Sequence, residues 1–191
     1  MPRVKPRAGG GPLNTFVTSA AYGEQVSTQG FDDLLTRNRG YVASFNLNGF
    51  DGIAHAGVAM VTCMDSRIEP LEMIGLKVGD AKIMRTPGGR LTPDALIGCI
   101  LGVHLLGVNR ILVVPHTRCA MGSGDDADVV EKVRKATGAD VSGLKIGASA
   151  DQLSRLTEDV EQLRAHPLIA GRATVGGFRY DVDTGELNQL L

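Results

Sequence analysis

The chain predicts an α/β fold: a central, mostly parallel β-sheet flanked by helices, with an N-terminal helical arm. Three observations carry that expectation. Short apolar runs recur at Val58-Ala59-Met60-Val61, from Ala81 to Arg85 and from Ile111 to Val114, each suited to a buried strand. A well-bounded helix lies between the last two, and a strand–helix–strand crossover of this length implies a parallel sheet. At 191 residues the chain is long enough to bury a core of its own.

Residues 1–28 read as a flexible N-terminal arm and residues 29–191 as one domain. Arg3, Lys5 and Arg7 stand among Pro6, Pro12 and Gly9-Gly10-Gly11. That composition favours a disordered segment over an amphipathic transit peptide. From 29 to 48, Phe31, Leu34, Leu35, Tyr41, Val42 and Phe45 recur at helical spacings, with an interruption expected at Gly40. The first apolar run then feeds directly into Cys63. The central helix has Thr92 to cap it, Pro93 for its first turn and Asp94 at its positive end. Leu96, Ile97, Ile100, Leu101, His104 and Leu105 form its expected apolar stripe, and Gly107 stops it.

Val129, Val130 and Val133 predict a further helix after the acidic turn Asp125-Asp126. Leu153, Leu156, Val160 and Leu163 predict another. The tail alternates from Phe178 to Val182, turns at Asp183-Thr184-Gly185 and resumes at Glu186-Leu187, which reads as an edge hairpin or a strand-plus-turn.

Composition excludes several roles. Twenty Lys and Arg against 21 Asp and Glu leave a net charge of −1, so no overall field draws the chain to nucleic acid or an anionic membrane. Aromatic residues are 4% with no Trp, too few to supply stacking platforms for bases. No apolar run has the ~18–20 residues of a membrane helix, and no apolar signal-peptide core stands at the N-terminus. Three cysteines fit a secreted disulfide framework poorly and suit reduced, metal-binding thiols in a cytoplasmic protein. Gly122-x-Gly124 lacks the third glycine and the context of a dinucleotide loop.

The chemistry concentrates in Cys63-Met64-Asp65-Ser66-Arg67 and His116-Thr117-Arg118-Cys119. Two sulfurs and one imidazole suit Zn²⁺, and three protein ligands leave a tetrahedral ion one open position for water. Cys63 and His116 follow two strands of one parallel sheet, beyond whose carboxyl ends sites gather. Cys99 lies on the apolar helix and reads as a core residue, as do His104, His55 and His166 as structural ones. A fourth ligand would come from Asp65 or Cys99, with Asp65 the better candidate. Arg67 would then compete with zinc for that carboxylate, giving a switch between a closed and an open metal. Gly88 and Gly89 suit either an ordinary turn or a close backbone approach.

Cys-x-Asp-x-Arg followed by His-x-x-Cys, with Gly79-Asp80-Ala81 and Arg85…Gly88-Gly89 between them, resembles the β-class carbonic anhydrases. The likeness runs from about residue 30 to the Gly-Phe-Arg-Tyr-Asp-Val-Asp-Thr-Gly-Glu-Leu segment. The resemblance implies a β-carbonic anhydrase-like fold, zinc held by Cys63, His116 and Cys119, and an Asp65–Arg67 dyad that orients a zinc-bound hydroxide. It implies reversible hydration of carbon dioxide to bicarbonate, in a homodimer or a dimer of dimers with its pocket at the subunit interface. Relatives with the same ligands imply a second reading, hydrolysis of carbonyl sulfide or carbon disulfide. A third is a zinc-binding homologue with weak or no turnover. Thr86-Pro87-Gly88 replaces the family's usual Asn-Ala-Gly, Ala120 its Gly, and Arg118 a frequent Asp. Pro115 precedes the histidine. These differences reshape the pocket wall and remove no ligand.

Overall fold

The computed structural model describes residues 30–191, so the arm expected over 1–28 lies outside the described residues. Two compact units divide the chain at Asn48. In the first, helix α1 spans Asp32–Ala43. It runs through Gly40, where an interruption was expected; one helical glycine weakens a helix by about 1 kcal/mol but does not break it. None of its residues is buried, and Phe31, Leu34, Leu35, Tyr41, Val42 and Phe45 are all exposed.

The second unit, Gly49–Leu191, is built on a five-stranded sheet. Strands β1 (Val58–Cys63), β2 (Ala81–Thr86), β3 (Arg110–Val114), β4 (Thr174–Tyr180) and β5 (Leu187–Gln189) lie in the order β2-β1-β3-β4-β5. The first four are mutually parallel and β5 is antiparallel to β4. All six residues of β1 are buried, as a central strand covered on both faces requires. Its register matters most: Cys63 lies beside Thr86 of β2, and Thr62 beside Val114 of β3. β1 and β3 therefore end together at one edge.

Three helices accompany this sheet. Helix α2 (Pro93–Leu105) is capped as expected, with Thr92 Oγ1 accepting from the Ala95 amide at 3.2 Å. Its buried face differs from the expected stripe. Ala95, Cys99 and Gly102 are buried, whereas Ile97, Leu101 and Leu105 are exposed. The helix is apolar on every side, so spacing alone could not choose its face. Close approach chose it: a Cβ on Gly98 would stand 3.2 Å from Met84, and one on Gly102 3.1 Å from Val108. Helix α3 (Asp126–Thr137) opens on a capping box between Asp125 and Asp128. Helix α4 (Gln152–Ala165) buries Leu156, Val160 and Leu163, although Leu153 is exposed.

The tail takes the hairpin alternative over the strand-plus-turn, on a longer strand than expected. The hairpin is present, pairing Tyr180 with Leu187, but β4 begins at Thr174 and is itself the parallel neighbour of β3. Gly176 and Gly177 hide this, because glycine weakens a strand signal. A Cβ on Gly177 would meet Leu191 and Val160 at 3.0–3.1 Å, so the bare backbone lets α4 and the C-terminus close over the strand.

One ion pair ties α4 to the segment after β2. Arg90 donates to both carboxylate oxygens of Asp159 at 2.7 and 2.9 Å, and the Leu91 amide adds a third bond at 3.0 Å. The Asp159 side chain is only 4% exposed. Removing one partner of a buried, bidentate pair strands the other charge, so Asp159→Ala should lower stability by about 3–5 kcal/mol in urea denaturation. Glu131→Ala, which breaks an exposed pair with Arg134, should leave the urea midpoint almost unchanged.

Candidate metal centre

At the shared edge of β1 and β3, two strand ends and one turn bring three donor atoms together. Cys63 is the last residue of β1, and His116 lies just past β3, bridged to Tyr180 of β4. Cys119 opens the 3-10 turn Ala120–Gly122. The two sulfurs are 3.9 Å apart, and all three donor atoms lie within 4.8 Å of one another, each residue buried.

The imidazole is preset for ligation. Its Nδ1 stands 2.8 Å from the Thr117 carbonyl, which accepts only from a protonated nitrogen. That assignment leaves a lone pair on Nε2. Nε2 is also the buried side-chain atom without a hydrogen-bond partner among the described residues. Buried acceptors rarely stay orphaned, and this one faces two sulfurs rather than a donor. The residues present therefore fit a metal ion: two soft anionic ligands, one neutral nitrogen, and the Thr117 carbonyl behind the ring fixing its tautomer.

The thiols themselves are unequal. The hydrogen bond from Cys119 holds the Cys63 thiol well below the ordinary value, with the backbone of Asp65 and Gly88 helping against burial. Cys119 is pushed up by the same partnership. Cys99 behaves differently: burial in α2 raises it to about 12, so it stays a neutral core thiol away from the site.

Beside the donors sits the acid–base pair. Arg67 Nε and Nη2 donate to the two oxygens of Asp65 at 2.8 and 2.7 Å, and the Arg67 amide adds a bond at 3.0 Å. The guanidinium holds the Asp65 carboxyl well below the usual carboxylate range. Asp65 Oδ2 is 3.7 Å from His116 Nε2, so the carboxylate borders the donor cluster. Arg67 Nη2 also reaches the Arg118 carbonyl at 3.2 Å, tying the two sequence segments to each other. Arg118 takes a left-handed φ of 53°, and its side chain pairs with Asp183 at 2.7 Å.

All five residues singled out in the sequence thus meet, and His55, His104 and His166 do not join them. His55 pairs with Asp51, His104 contacts the Leu168 carbonyl, and His166 accepts from the Leu168 amide. Gly89 belongs to the site. With φ of +70°, its ideal Cβ would lie 3.0 Å from the Val114 carbonyl and 3.2 Å from the Cys63 amide. This is close approach to the two strand ends rather than an ordinary turn.

Three neighbours were given no role at the site from the sequence, although Arg85 stood among the motif residues. Arg85 donates to the Cys63 and Asp65 carbonyls, Gln152 to the His116 carbonyl, and Tyr180 packs against Cys63, Ile68 and Cys119. The signal for Arg85 was a cation at the carboxyl end of a strand beside that of Cys63. Gln152 and Tyr180 left none, because each arrives from a distant element.

A family model described as carbonic anhydrase matches residues 58–187, which span both motifs and the four parallel strands that carry them. The chain belongs to the β-carbonic anhydrase family. It is 29% identical over 163 residues to β-carbonic anhydrase 1 of Mycobacterium tuberculosis, covering 83% of this chain and 96% of that protein. A carbon disulfide hydrolase of Acidithiobacillus thiooxidans is also 29% identical, over 65% of this chain and 72% of its own. Among solved structures, a carbonic anhydrase from Streptococcus mutans superposes with a TM-score of 0.76 at 30% identity, covering 88% of this chain and 100% of its own. Members of this β-carbonic anhydrase family use zinc, and the Cys-His-Cys group described above can hold a metal ion.

Gly89→Ala should strain the left-handed turn and press a methyl group on the strand-end backbone. A loss of about 1–3 kcal/mol is expected. Metal content per chain should fall with it, measured by elemental analysis against far-UV circular dichroism. Undiminished metal content and stability would show that the close approach has room to spare.

Proposed function

We propose that the protein hydrates carbon dioxide reversibly, CO₂ + H₂O ⇌ HCO₃⁻ + H⁺, with Zn²⁺ held by Cys63, His116 and Cys119. One observation carries the reading most: a buried imidazole lone pair, two sulfurs within 4.8 Å and the edge of an ionised carboxylate converge on one point. A zinc ion bound there supplies Lewis acidity, which makes water a nucleophile near neutral pH.

The chain's own residues do the positioning. Asp65, ionised, can only accept hydrogen bonds, so it aims the lone pair of a water or hydroxide that donates to it. Arg67 occupies one side of that carboxylate bidentately and leaves Oδ2 bordering the His116 side. Carbon dioxide carries no net charge, so its wall needs apolar shape more than polar contacts. Ile68, Met73, Met121 and Tyr180, packed against the cysteines, provide such surface.

Hydrolysis of carbon disulfide or carbonyl sulfide on the same donors is the second reading, favoured by similarity to proteins named carbon disulfide hydrolase. The third is a zinc-binding homologue with little turnover. A homodimer or dimer of dimers is supported by the exposed apolar row Ile97, Leu101 and Leu105 on α2. A cytoplasmic setting suits the free thiols. Among the described residues no helix is long and apolar enough to cross a membrane.

Stopped-flow CO₂ hydration on zinc-quantified protein tests the first reading, with sulfide release from carbon disulfide run beside it. Rapid hydration with little sulfide is the expected result; the reverse pattern installs the second reading, and neither activity the third. Cys63→Ser and His116→Ala should lose zinc and activity together, while Cys99→Ser keeps both. Arg67→Ala should keep zinc and lose about 10–100-fold in turnover.

The pH dependence follows from the direction of the Asp65 shift. A depressed carboxyl pKa leaves Asp65 ionised throughout about pH 5–9, so its favourable contribution is lost only as pH falls below the ordinary carboxylate range. Any activity step within that window should therefore survive in Asp65→Asn, scaled down in rate. A step that vanishes in that variant assigns the titration to Asp65 after all.

A further inference from the structure

The Asp65 carboxylate hangs from a turn of only three residues leaving β1, and something must hold the backbone of that turn as well as its side chain. Arg67 grips the carboxylate. The backbone is gripped from the neighbouring strand: Arg85 Nε donates to the Cys63 carbonyl at 3.1 Å, and its Nη2 to the Asp65 carbonyl at 2.6 Å. Arg85 sits on β2 opposite Thr62, one position before the Thr86–Cys63 pair. From there its planar fork spans two carbonyls of the same turn, which a lysine could not match. The Met64 amide, donating to the Thr86 carbonyl at 3.1 Å, closes the intervening gap.

The cation is spent unusually. No carboxylate lies within ion-pair distance of Arg85 among the described residues, although Asp65 is its immediate neighbour. Its charge goes into backbone carbonyls instead, and charge-assisted bonds of that kind are about twice as strong as neutral ones. Such bonds resist rotation of the Cys63–Met64 and Asp65–Ser66 peptide units, which bracket Met64 and Asp65. Rotation there is the motion that would carry Asp65 Oδ2 across the 3.7 Å that separates it from His116 Nε2, toward the metal position.

The geometry points to Arg85 as a positioning residue that keeps the Asp65 carboxylate off the metal, by clamping the Cys63–Asp65 turn, and so keeps the fourth coordination position open to substrate and small anions. The inference rests on the reading that Cys63, His116 and Cys119 hold the metal. Arg67 and Arg85 then divide the task. One holds the carboxylate and the other the backbone that carries it, so losing either should close the site.

The test uses cobalt-substituted protein at one metal per chain, with thiocyanate as the anion probe followed by visible absorption. The wild type should show sulfur-to-cobalt charge transfer and bind thiocyanate. Arg85→Gln should keep the charge-transfer band but bind the probe about ten- to hundredfold more weakly, because Asp65 takes the open position. Arg85→Lys, which keeps the charge but not the fork, should behave like Arg85→Gln. Removing the competing carboxylate should undo the effect: Arg85→Gln combined with Asp65→Ala should bind thiocyanate within about threefold of Asp65→Ala alone.

Wild-type affinity in Arg85→Lys overturns the proposal, since charge alone would then suffice. So does a weakened Arg85→Gln site that the second substitution fails to restore, since the loss is then electrostatic or a general loosening. Cobalt uptake without charge transfer in the wild type overturns the metal reading itself, and the proposal with it. With charge transfer present, a failure belongs to Arg85 alone.

Discussion

Parallel pairing of β1 with β3 is the constraint on which the site depends. In a parallel pair both chains run the same way, so Cys63 and His116 arrive at one edge whatever lies between them in sequence. The register Thr62↔Val114 sets how far each overshoots that edge. A shift of one residue would turn Cys63 to the opposite face of the sheet and separate its sulfur from the imidazole. Gly89 enforces the same limit from above, since its backbone lies against the Val114 carbonyl and the Cys63 amide together. The β4 strand then closes the third side, through the bond from the Thr117 amide to the Tyr180 carbonyl and that from the Tyr180 amide to the Pro115 carbonyl.

Two arginine systems hold this edge, and their different surroundings give them different tasks. Arg90 and Asp159 form a buried, bidentate pair whose role is to join α4 to the turn after β2. Loss of one partner there threatens the fold. Arg67 and Asp65 form an equally short pair that is more exposed, 39% and 20% at the side chains, and it borders the donor cluster. An exposed pair contributes little to stability, so its geometry is free to serve orientation. The same arginine reaches the Arg118 carbonyl, so motion of the carboxylate and of the His-x-x-Cys loop are coupled through one guanidinium.

Much of the sheet, and the meeting of the five motif residues, was legible because short buried runs and paired metal-type motifs are strong local signals. What was not legible had specific causes. The buried face of α2 was decided by Gly98 and Gly102 letting the helix close on Met84 and Val108, and an all-apolar helix does not announce its small side. The start of β4 was hidden by Gly176 and Gly177, whose lack of side chains is what the packing of Val160 and Leu191 needs. Arg85 looks like any cation on a strand until the register sets it opposite Thr62. In each case the deciding contact is between elements, and no local pattern records it.

The residues that depart from the family pattern show how the wall of such a site can change while its frame is kept. Pro87 begins the 3-10 turn Pro87–Gly89, where a missing amide costs nothing because a first-turn donor has no partner within the turn. Thr86 is buried, and its hydroxyl donates to the Arg90 carbonyl at 2.8 Å, closing the turn from outside. That bond holds Gly88 and Gly89 in left-handed conformations and keeps Gly89 against both strand ends. Beyond the donors, a Cβ on Gly88 would come within 3.2 Å of the Met121 Cβ, so the stem of that side chain leaves the turn no room for a larger residue. Substitutions in this wall act on the space offered to a small uncharged substrate. The donor positions are fixed separately, by the strand register and the arginine clamps, so the wall can vary without moving them.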